Sequence, residues 1–401
     1  MRILYVAPAS PHPGNFGGGM RVAALAAALG RRADVHLLVI ADEPGEEARR
    51  FLAARGAELW ATPPQTTATR LWRIVSATAR GHSIPAARLF SPARVEQLLA
   101  KAQALAPDVV ILGETFLGEP AAALRALALR VIVDTFNVES QLWRDVAAAS
   151  TTLSARWGYS LLAANTAALE RRTLPVADRV WAVSEEDAAW YRRALRLQAV
   201  DVVPNVMATT AAALAAPTEP DAVVFTATYA YPPNEDAALR LISISSALAA
   251  RGHTHRLYLV GRRPSARMKA AAAGLAHVVV TGEVDSVEPW LRKAAVFAAP
   301  LQLGSGTNFK LLEAMLAGRA VLTTPIGARG LDIEDGRHAL IRTEEHFAGA
   351  LVALLGDAAL RASLAAEGRR HALEHFTEAR LDAALDRALA PFGCATPGRP
   401  G

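Results

Sequence analysis

The sequence predicts an α/β protein of two doubly wound, Rossmann-like domains, and three observations support this prediction. The chain has 401 residues, which exceeds the size at which one hydrophobic core usually stops growing. Short aliphatic runs alternate with longer alanine-rich stretches, the rhythm of parallel sheets covered by helices. This rhythm starts at residue 2 and starts again after residue 220, so we expect one such sheet in each half.

Eleven apolar runs predict the strands, because each is short and aliphatic and because longer alanine-rich, helix-like stretches alternate with them. In the first half they are RILYVA (2–7), DVHLLVI (34–40), DVVIL (108–112), RVIVDT (130–135), RVWAVS (179–184) and AVDVVP (199–204). In the second half they are AVVFTA (222–227), HRLYLVG (255–261), HVVVTG (277–282), AVFAAP (295–300) and AVLTT (320–324).

A proline-rich stretch with little periodicity, residues 202–224, predicts the linker between the two domains. We place the boundary at Asn205, which gives an N-terminal domain of residues 1–205 and a C-terminal domain of residues 206–375. Residues 376–401 predict an amphipathic helix and a tail that could pack back on the N-terminal domain.

Composition limits the partners and the cellular compartment. The formal charge of +5 permits phosphorylated or anionic partners, but no basic run with interleaved aromatic residues predicts nucleic-acid binding. A single cysteine, Cys394, and the absence of Cys/His ligand spacing argue against disulfides and metal sites. We expect a cytoplasmic protein that is at most peripheral at the inner face of a membrane. The basic segment Arg70–His82 could lie on such a membrane. The alternative is that its Trp72 is an ordinary core residue.

Each half carries a glycine-rich loop between a strand and a helix, where backbone N–H groups can receive a phosphate. In the first half Gly17, Gly18 and Gly19 open a helix that Gly30 closes. A flexible turn that needs positive φ is an equal alternative for this cluster.

The second glycine-rich loop is followed by one lysine and one glutamate, and their position next to this loop favours a role in ligand binding. Gly304, Ser305, Gly306, Thr307 and Asn308 form a rim of donors before a predicted helix. Lys310 can supply a point charge for a diphosphate, and Glu313, three residues later on the same helical face, can accept the two hydroxyls of a ribose. The alternative is an i,i+3 ion pair on a solvated helix start.

Two further segments of the second half follow predicted strands. Thr228 lies after AVVFTA, and Arg262 lies after HRLYLVG, at strand ends where ligands of such sheets bind. Asn234 is better explained as a helix N-cap, and a solvated loop is an alternative for Arg262.

Residues 282–341 carry the segments VD, AAP, GSGT with K and EAM, GARGL and DGRHALI in this order. Together with GGGMR, DTFNVES, WAVSEED and VVPNV of the first half, they resemble the family 4 retaining glycosyltransferases of GT-B fold over nearly the whole chain. The resemblance implies two Rossmann-like domains facing a central cleft. It also implies a nucleotide-diphosphate sugar held mostly by the second domain, and a glycan, lipid-linked or small-molecule acceptor on the first.

The resemblance also assigns site residues. Glu313 matches the second glutamate of the Glu-x7-Glu motif of the family, whereas Ser305 stands where the first glutamate usually contacts the transferred sugar. Phe136 stands where many relatives have a histidine, which leaves Asn137 and Glu139 as the polar catalytic candidates beside Lys310 and Glu313. The residue-level alternative for DTFNVES (134–140) is a strand end with a helix N-cap.

The sequence therefore predicts a hexosyltransferase-type enzyme that needs no cofactor beyond its sugar-nucleotide co-substrate, and no metal. Its donor site would comprise Gly18, Gly19, Thr228, Arg262, Gly304, Ser305, Gly306, Thr307, Asn308, Lys310 and Glu313. Two alternatives remain open: a nucleotide-sugar-binding pseudoenzyme that supports a partner transferase, and a GT-B nucleotide-sugar epimerase.

Overall fold

The computed structural model describes residues 1–8, 17–41, 46–62, 86–150, 152–207, 217–304 and 306–393. The chain divides into two compact units, Met1–Val206 with Glu378–Gly401, and Met207–Thr377. We call these units the N-terminal and the C-terminal domain. The predicted positions Ser305, Arg70–His82 and Cys394 lie outside the described residues.

The N-terminal domain contains a seven-stranded sheet with the order β3-β2-β1-β4-β5-β6-β7, and its neighbouring strands pair in parallel. The strands are β1 Arg2–Ala7, β2 Asp34–Ala41, β3 Glu58–Ala61, β4 Val109–Gly113, β5 Arg130–Asp134, β6 Arg179–Ala182 and β7 Val200–Val202. Because the order reverses between β1 and β4, ligands of this sheet are expected at the carboxyl ends of these two strands.

Eight helices of this domain precede the linker within the described ranges. They are α1 Gly17–Gly30, α2 Glu46–Ala53, α3 Ala86–Leu89, α4 Pro92–Leu105, α5 Ala121–Ala126, α6 Glu139–Ala149, α7 Leu153–Thr173 and α8 Glu185–Ala194. The central strands are buried on both faces, so that alternate side chains of β1 enter different apolar layers: Leu4 and Val6 lie in one, Ile3 and Tyr5 in the other.

The C-terminal domain contains a six-stranded sheet with the order β10-β9-β8-β11-β12-β13, again with parallel pairing. The strands are β8 Glu219–Thr226, β9 Arg256–Val260, β10 Val278–Gly282, β11 Ala294–Ala299, β12 Ala320–Thr323 and β13 Leu340–Ile341. The order reverses between β8 and β11, which places the expected ligand edge at the carboxyl ends of these strands.

Six helices cover this sheet in the described part of the domain. They are α9 Pro232–Ala250, α10 Ala266–Ala272, α11 Glu288–Lys293, α12 Phe309–Leu316, α13 Glu344–Gly356 and α14 Ala358–His375. Strand β11 is buried along its whole length, as its uninterrupted apolar sequence predicts for a central parallel strand. The prediction of two doubly wound parallel-sheet domains is therefore confirmed.

The last helix, α15 (Glu378–Leu389), packs against α1 of the N-terminal domain. Arg32, just after the end of α1, donates from Nη1 to Asp382 at 2.6 Å and from Nε to Asp386 at 2.7 Å. Leu381 and Leu385 are buried in the same apolar layer as α1. The terminal helix thus closes one face of the first sheet.

No single helix in the described part of the chain is both long and apolar enough to cross a membrane. Two helical segments meet the same length and composition limits when they are taken together. They are Glu344–Gly356 and Ala358–Phe392, and a bend of 102° separates them.

Candidate functional site

Lys310 and Glu313 lie in the first turns of α12, at the carboxyl edge of the second sheet. Lys310 is the second residue of this helix and Glu313 the fifth, so the two side chains share a face. Both are half-buried, and neither makes a hydrogen bond or ion pair with any described residue. The solvated ion pair considered from the sequence is therefore not formed between them.

Burial without a partner shifts the pKa of both groups toward neutrality. It lowers the pKa of the Lys310 ammonium to about 8 and raises the pKa of the Glu313 carboxyl to about 7. Desolvation of the charged form is the cause in both cases. A ligand that brings negative charge to Lys310 and hydroxyl donors to Glu313 would offset both costs.

The loop that precedes α12 follows β11 at the switch point of the second sheet. Gly304 has φ +148 and Gly306 has φ +68, a region that only glycine adopts readily. Thr307 Oγ1 donates to Gly330 O at 3.4 Å, and Asn308 Nδ2 donates to Gly327 O at 2.8 Å. The segment after β12 therefore holds this loop in place.

These bonds give two predicted donor-binding residues a structural role as well. The Thr307 hydroxyl and one amide hydrogen of Asn308 are used within the protein, so both residues fix the loop. Gly330 faces the loop closely, because a Cβ added there would lie 3.2 Å from the Gly306 carbonyl carbon and from Thr307 Oγ1.

Thr228 and Arg262 come together at the ends of β8 and β9. Arg262 Nε donates to Thr228 Oγ1 at 3.2 Å. The two loops are in tight contact, since a Cβ added to Gly261 would lie 1.8 Å from Ala227 O. The structure thus joins the two polar residues that the sequence placed after separate strands, and Arg262 is held there by Thr228.

Asn234 does not cap helix α9, so that interpretation of the sequence is wrong. The helix begins at Pro232 with Tyr231 in the N-cap position. Asn234 is buried, its Nδ2 donates to Thr228 O at 2.9 Å, and its Oδ1 has no hydrogen-bond partner. It therefore supports the loop that carries Thr228.

In the N-terminal domain Gly17, Gly18 and Gly19 form the first turn of α1, and Gly30 ends it, as predicted. Arg21, one turn further on, is buried and was not predicted as a site residue. Its Nε donates to Asp134 Oδ2 at 3.0 Å, while Nη1 donates to Val203 O at 3.0 Å and to Asn205 Oδ1 at 2.9 Å.

Arg21 also explains part of the environment of Phe136. The guanidinium carbon of Arg21 lies 5.7 Å from the centre of the Phe136 ring, within the range of a cation–π contact. Phe136 therefore packs on a buried cation at the end of β5. This contact accounts for a large aromatic side chain at position 136 without a role in catalysis.

Asn137 and Glu139 contact each other directly after β5. Asn137 Nδ2 donates to Glu139 Oε1 at 3.0 Å. Helix α6 starts at Glu139 with Val138 as its N-cap, and no side chain caps it, so the capping interpretation of DTFNVES is wrong. Glu139 is buried, and this burial raises the pKa of its carboxyl to about 7.

Glu114 is a candidate site residue that was not predicted from the sequence. It follows β4 at the switch point of the first sheet, has φ +72, and makes no side-chain hydrogen bond with a described residue. Burial first, and then the nearby charge of Glu139, raise the pKa of its carboxyl to about 8. The signal available in the sequence was an acidic residue that follows the predicted strand DVVIL after a single glycine, Gly113.

The two domains therefore present different chemistry at their ligand edges. The edge of the second sheet carries the cationic Lys310 and Arg262, and the edge of the first carries Glu114 and Glu139. Within the described ranges no three His, Cys, Asp or Glu side chains come close enough together to hold a metal ion.

Comparisons with known proteins match both domains. The sequence pattern of the glycosyl transferase 4-like domain family covers residues 16–206, and that of the glycosyl transferases group 1 family covers residues 220–357. A phosphatidyl-myo-inositol mannosyltransferase of Mycolicibacterium smegmatis is 31% identical over 196 residues. This alignment covers 46% of the present chain and half the length of that relative.

Solved structures agree over almost the full chain. Sucrose-phosphate synthase from Thermosynechococcus elongatus superposes with a TM-score of 0.72 at 15% identity, over 98% of this chain and 99% of that one. Anabaena HepE in complex with UDP-glucose superposes with a TM-score of 0.67 at 15% identity, over 98% and 100%. At such identities the likeness shows the fold, which is GT-B. With one family pattern on each sheet, the chain belongs to the group 1 glycosyltransferases of GT-B fold.

Proposed function

We propose that the protein is a retaining glycosyltransferase of family 4 that works in the cytoplasm. It takes a sugar from a nucleotide-diphosphate donor and transfers it to a glycan, lipid-linked or small-molecule acceptor. The donor is bound mainly by the C-terminal domain and the acceptor by the N-terminal domain. Neither a metal nor nucleic acid takes part.

The observation that carries this proposal is the pair of half-buried, unpaired groups on α12. At neutral pH the Lys310 amine is mostly protonated, since its pKa is about 8, and it meets the donor diphosphate as a point charge. Glu313, three residues further along the same helix, accepts hydrogen bonds from the ribose hydroxyls. The backbone N–H groups of the loop that ends at Asn308 add donors at the helix N-terminus.

Charge develops on the diphosphate as the glycosidic bond breaks, so Lys310 and the loop amides stabilise the leaving group. In a retaining transfer the acceptor hydroxyl attacks the face that the diphosphate leaves, and a departing phosphate oxygen can take its proton. No separate side-chain base is then required, and Phe136 is compatible with activity. The positive potential of Lys310 and of the helix N-terminus takes the place of a metal ion.

On the acceptor side we assign hydrogen bonding to Asn137 and Glu139. Glu139 is held by the Asn137 amide at 3.0 Å, and its raised pKa permits either protonation state near neutral pH. Glu114, with no hydrogen-bond partner among the described residues, offers a second carboxyl for an acceptor hydroxyl. The relative named above is a mannosyltransferase, and HepE is solved with UDP-glucose; both support a hexose donor.

The test begins with a thermal-shift screen of UDP, GDP, dTDP and ADP sugars, because a ligand of the native state must raise the melting temperature. With an accepted donor and acceptor, proton NMR then determines the anomeric configuration of the product in excess EDTA. We expect a retained configuration and undiminished turnover. An inverted product, or turnover lost to the chelator and restored by magnesium or manganese, would refute the mechanism, and binding without any transfer would favour the pseudoenzyme.

A further inference from the structure

Helices α6 and α7 form an antiparallel hairpin in the N-terminal domain, with a cavity of about 430 Å³ between them. The hairpin is held by tight packing of its helices, and the rings of Trp143 and Tyr159 stack with centroids 5.9 Å apart. The cavity is lined by three arginines, Arg144, Arg156 and Arg171, and otherwise only by alanines and a serine. It is thus a shallow depression with a small-residue floor and a cationic rim.

The three arginines are unpaired. None of them makes a side-chain hydrogen bond or ion pair with any described residue. Two acidic groups lie beside the cavity without contacting the arginines directly. Asp145 Oδ1 accepts from Gln141 Nε2 at 3.0 Å, and the buried Glu170 accepts from the Ser140 amide at 3.1 Å. Burial raises the pKa of the Glu170 carboxyl, and the charges of Arg144 and Arg171 act on it only from a distance and oppose this rise. Three guanidinium groups therefore remain available to an external anion.

The start of α7 adds to this positive potential. The helix has no acidic residue in its first turn, and Arg156 occupies the fourth position of the helix, where the helix dipole favours an anion rather than a cation. Thr152 caps only one amide, that of Ala155 at 3.3 Å. An anion beside Arg156 would interact favourably with both the guanidinium and the helix end.

Large exposed apolar side chains border the same face. Leu153 is 85% exposed and Trp157 is 73% exposed, and they are the most exposed large hydrophobic residues of the described chain. At about 100° per residue, Arg156, Ser160, Leu153 and Trp157 fall within an arc of about 100° on α7. The cationic rim and the apolar side chains thus form one continuous surface, which we call the hairpin face.

We propose that the hairpin face docks on an anionic phospholipid surface, with lipid phosphates between Arg144, Arg156 and Arg171 and with Leu153 and Trp157 inserted at the level of the headgroups. Arginine matches the geometry of a phosphate group, and tryptophan prefers the boundary between headgroups and acyl chains. A small soluble anion would need the arginines but not two exposed apolar side chains. This inference concerns binding alone and is independent of sugar transfer.

The test is sedimentation of the full-length protein, without donor, with vesicles of phosphatidylcholine alone or with phosphatidylglycerol added. We expect binding to the anionic vesicles that weakens as salt is raised. Each basic residue near such a surface contributes about fivefold in partitioning, so the triple variant Arg144→Gln, Arg156→Gln, Arg171→Gln should bind about 100-fold more weakly. A second variant, Leu153→Ser with Trp157→Ser, should weaken binding to the same vesicles without changing its salt dependence.

The matched control removes the same charge elsewhere. Arg193, Arg251 and Arg267 are exposed and unpaired, and they lie outside the hairpin, so their triple change to Gln should leave vesicle binding within a few-fold of the wild type. Equal losses in both triple variants would show a net-charge effect and overturn the proposal. The proposal would also be overturned if the wild type did not bind anionic vesicles. It would be overturned as well if these arginines bound inorganic phosphate or another protein saturably instead of the vesicles.

Discussion

Replacing Lys310 or Glu313 by a neutral side chain of similar size should stabilise the unliganded protein while it weakens nucleotide binding. Both charges are half-buried, and neither is paired with a described residue. The folded state therefore carries a desolvation cost that Lys310→Met or Glu313→Gln removes. Residues kept for stability behave in the opposite way, so the sign of the change distinguishes a binding role from a structural one.

The pKa values set an upper limit to this cost. Burial lowers the pKa of Lys310 from 10.5 to about 8 and raises that of Glu313 from 4.5 to about 7. At 1.36 kcal/mol per pKa unit, either change corresponds to at most about 3–4 kcal/mol. Because both side chains are only half-buried, solvent screens part of this, and we expect a gain of about 1–2 kcal/mol for each variant.

The pH dependence differs between the two variants. The Glu313 carboxyl ionises near pH 4.5 in the unfolded chain and near pH 7 in the folded one, so the wild type loses stability relative to Glu313→Gln as the pH rises through this window. The Lys310 amine is protonated in both states below pH 8. The advantage of Lys310→Met is therefore complete below pH 8 and fades from there toward pH 10.5.

Urea unfolding at pH 5 and pH 7.5, followed by circular dichroism, measures these differences, with calorimetric titration of the preferred nucleoside diphosphate on the same samples. Glu313→Gln should stabilise more at pH 7.5 than at pH 5, and Lys310→Met equally at both. Lys269→Met, at an exposed and unpaired lysine of α10, should change the stability by less than about 0.5 kcal/mol. A loss of stability in either site variant, with unchanged nucleotide affinity, would refute the reasoning.

Three further predictions test the site and the residues that support it. Lys310→Ala and Glu313→Ala should each weaken nucleoside diphosphate binding by about 1.5–3 kcal/mol in calorimetry, because each removes a charge-assisted contact; unchanged affinity in both would remove them from the site. Gly330→Ala and Gly336→Ala, with φ +69 and +75, should both cost about 1–3 kcal/mol of folding stability through backbone strain. Only Gly330→Ala should also weaken nucleotide binding, because its Cβ would press on Gly306 whereas that of Gly336 meets nothing within 4 Å. Arg21→Ala leaves the buried Asp134 without its partner and should cost about 3–5 kcal/mol in urea unfolding, whereas Arg193→Ala at an exposed, unpaired position should cost little.

The two sheets could be predicted because local sequence patterns identify their central strands. A run such as AAVFAA is buried on both faces and needs no partner information to be recognised. The two strands that were missed lie at sheet edges: β3 is a half-buried four-residue strand, and β13 has only two residues. At an edge the strand is defined by its neighbour, as Leu38 to Ala41 define β3, and periodicity gives no signal.

The candidate site was predictable where a short motif carries it and not where distant segments assemble it. Gly304, Lys310 and Glu313 are close in sequence, so their arrangement follows from a loop and one helical turn. Arg21 contacts Asp134, 113 residues away, and Asn205, 184 residues away. No local sequence pattern predicts such contacts. For the same reason the sequence could not reveal that Asn308 is bound to Gly327 or that Glu114 lies near the charge of Glu139.

Pairing and position together distinguish the basic side chains that stabilise this protein from those that we assign to ligand binding. Arg21 and Arg32 each satisfy several donors with carboxylates and carbonyls inside one domain, and their replacement should be felt mainly as lost stability. Lys310, Arg144, Arg156 and Arg171 have no such partners in the described chain. At Lys310 the unpaired charge is half-buried and lowers stability, and at the hairpin face three unpaired charges surround one cavity. We therefore assign these charges to anions that come from outside the chain, a diphosphate at the glycine-rich loop and lipid phosphates at the hairpin face.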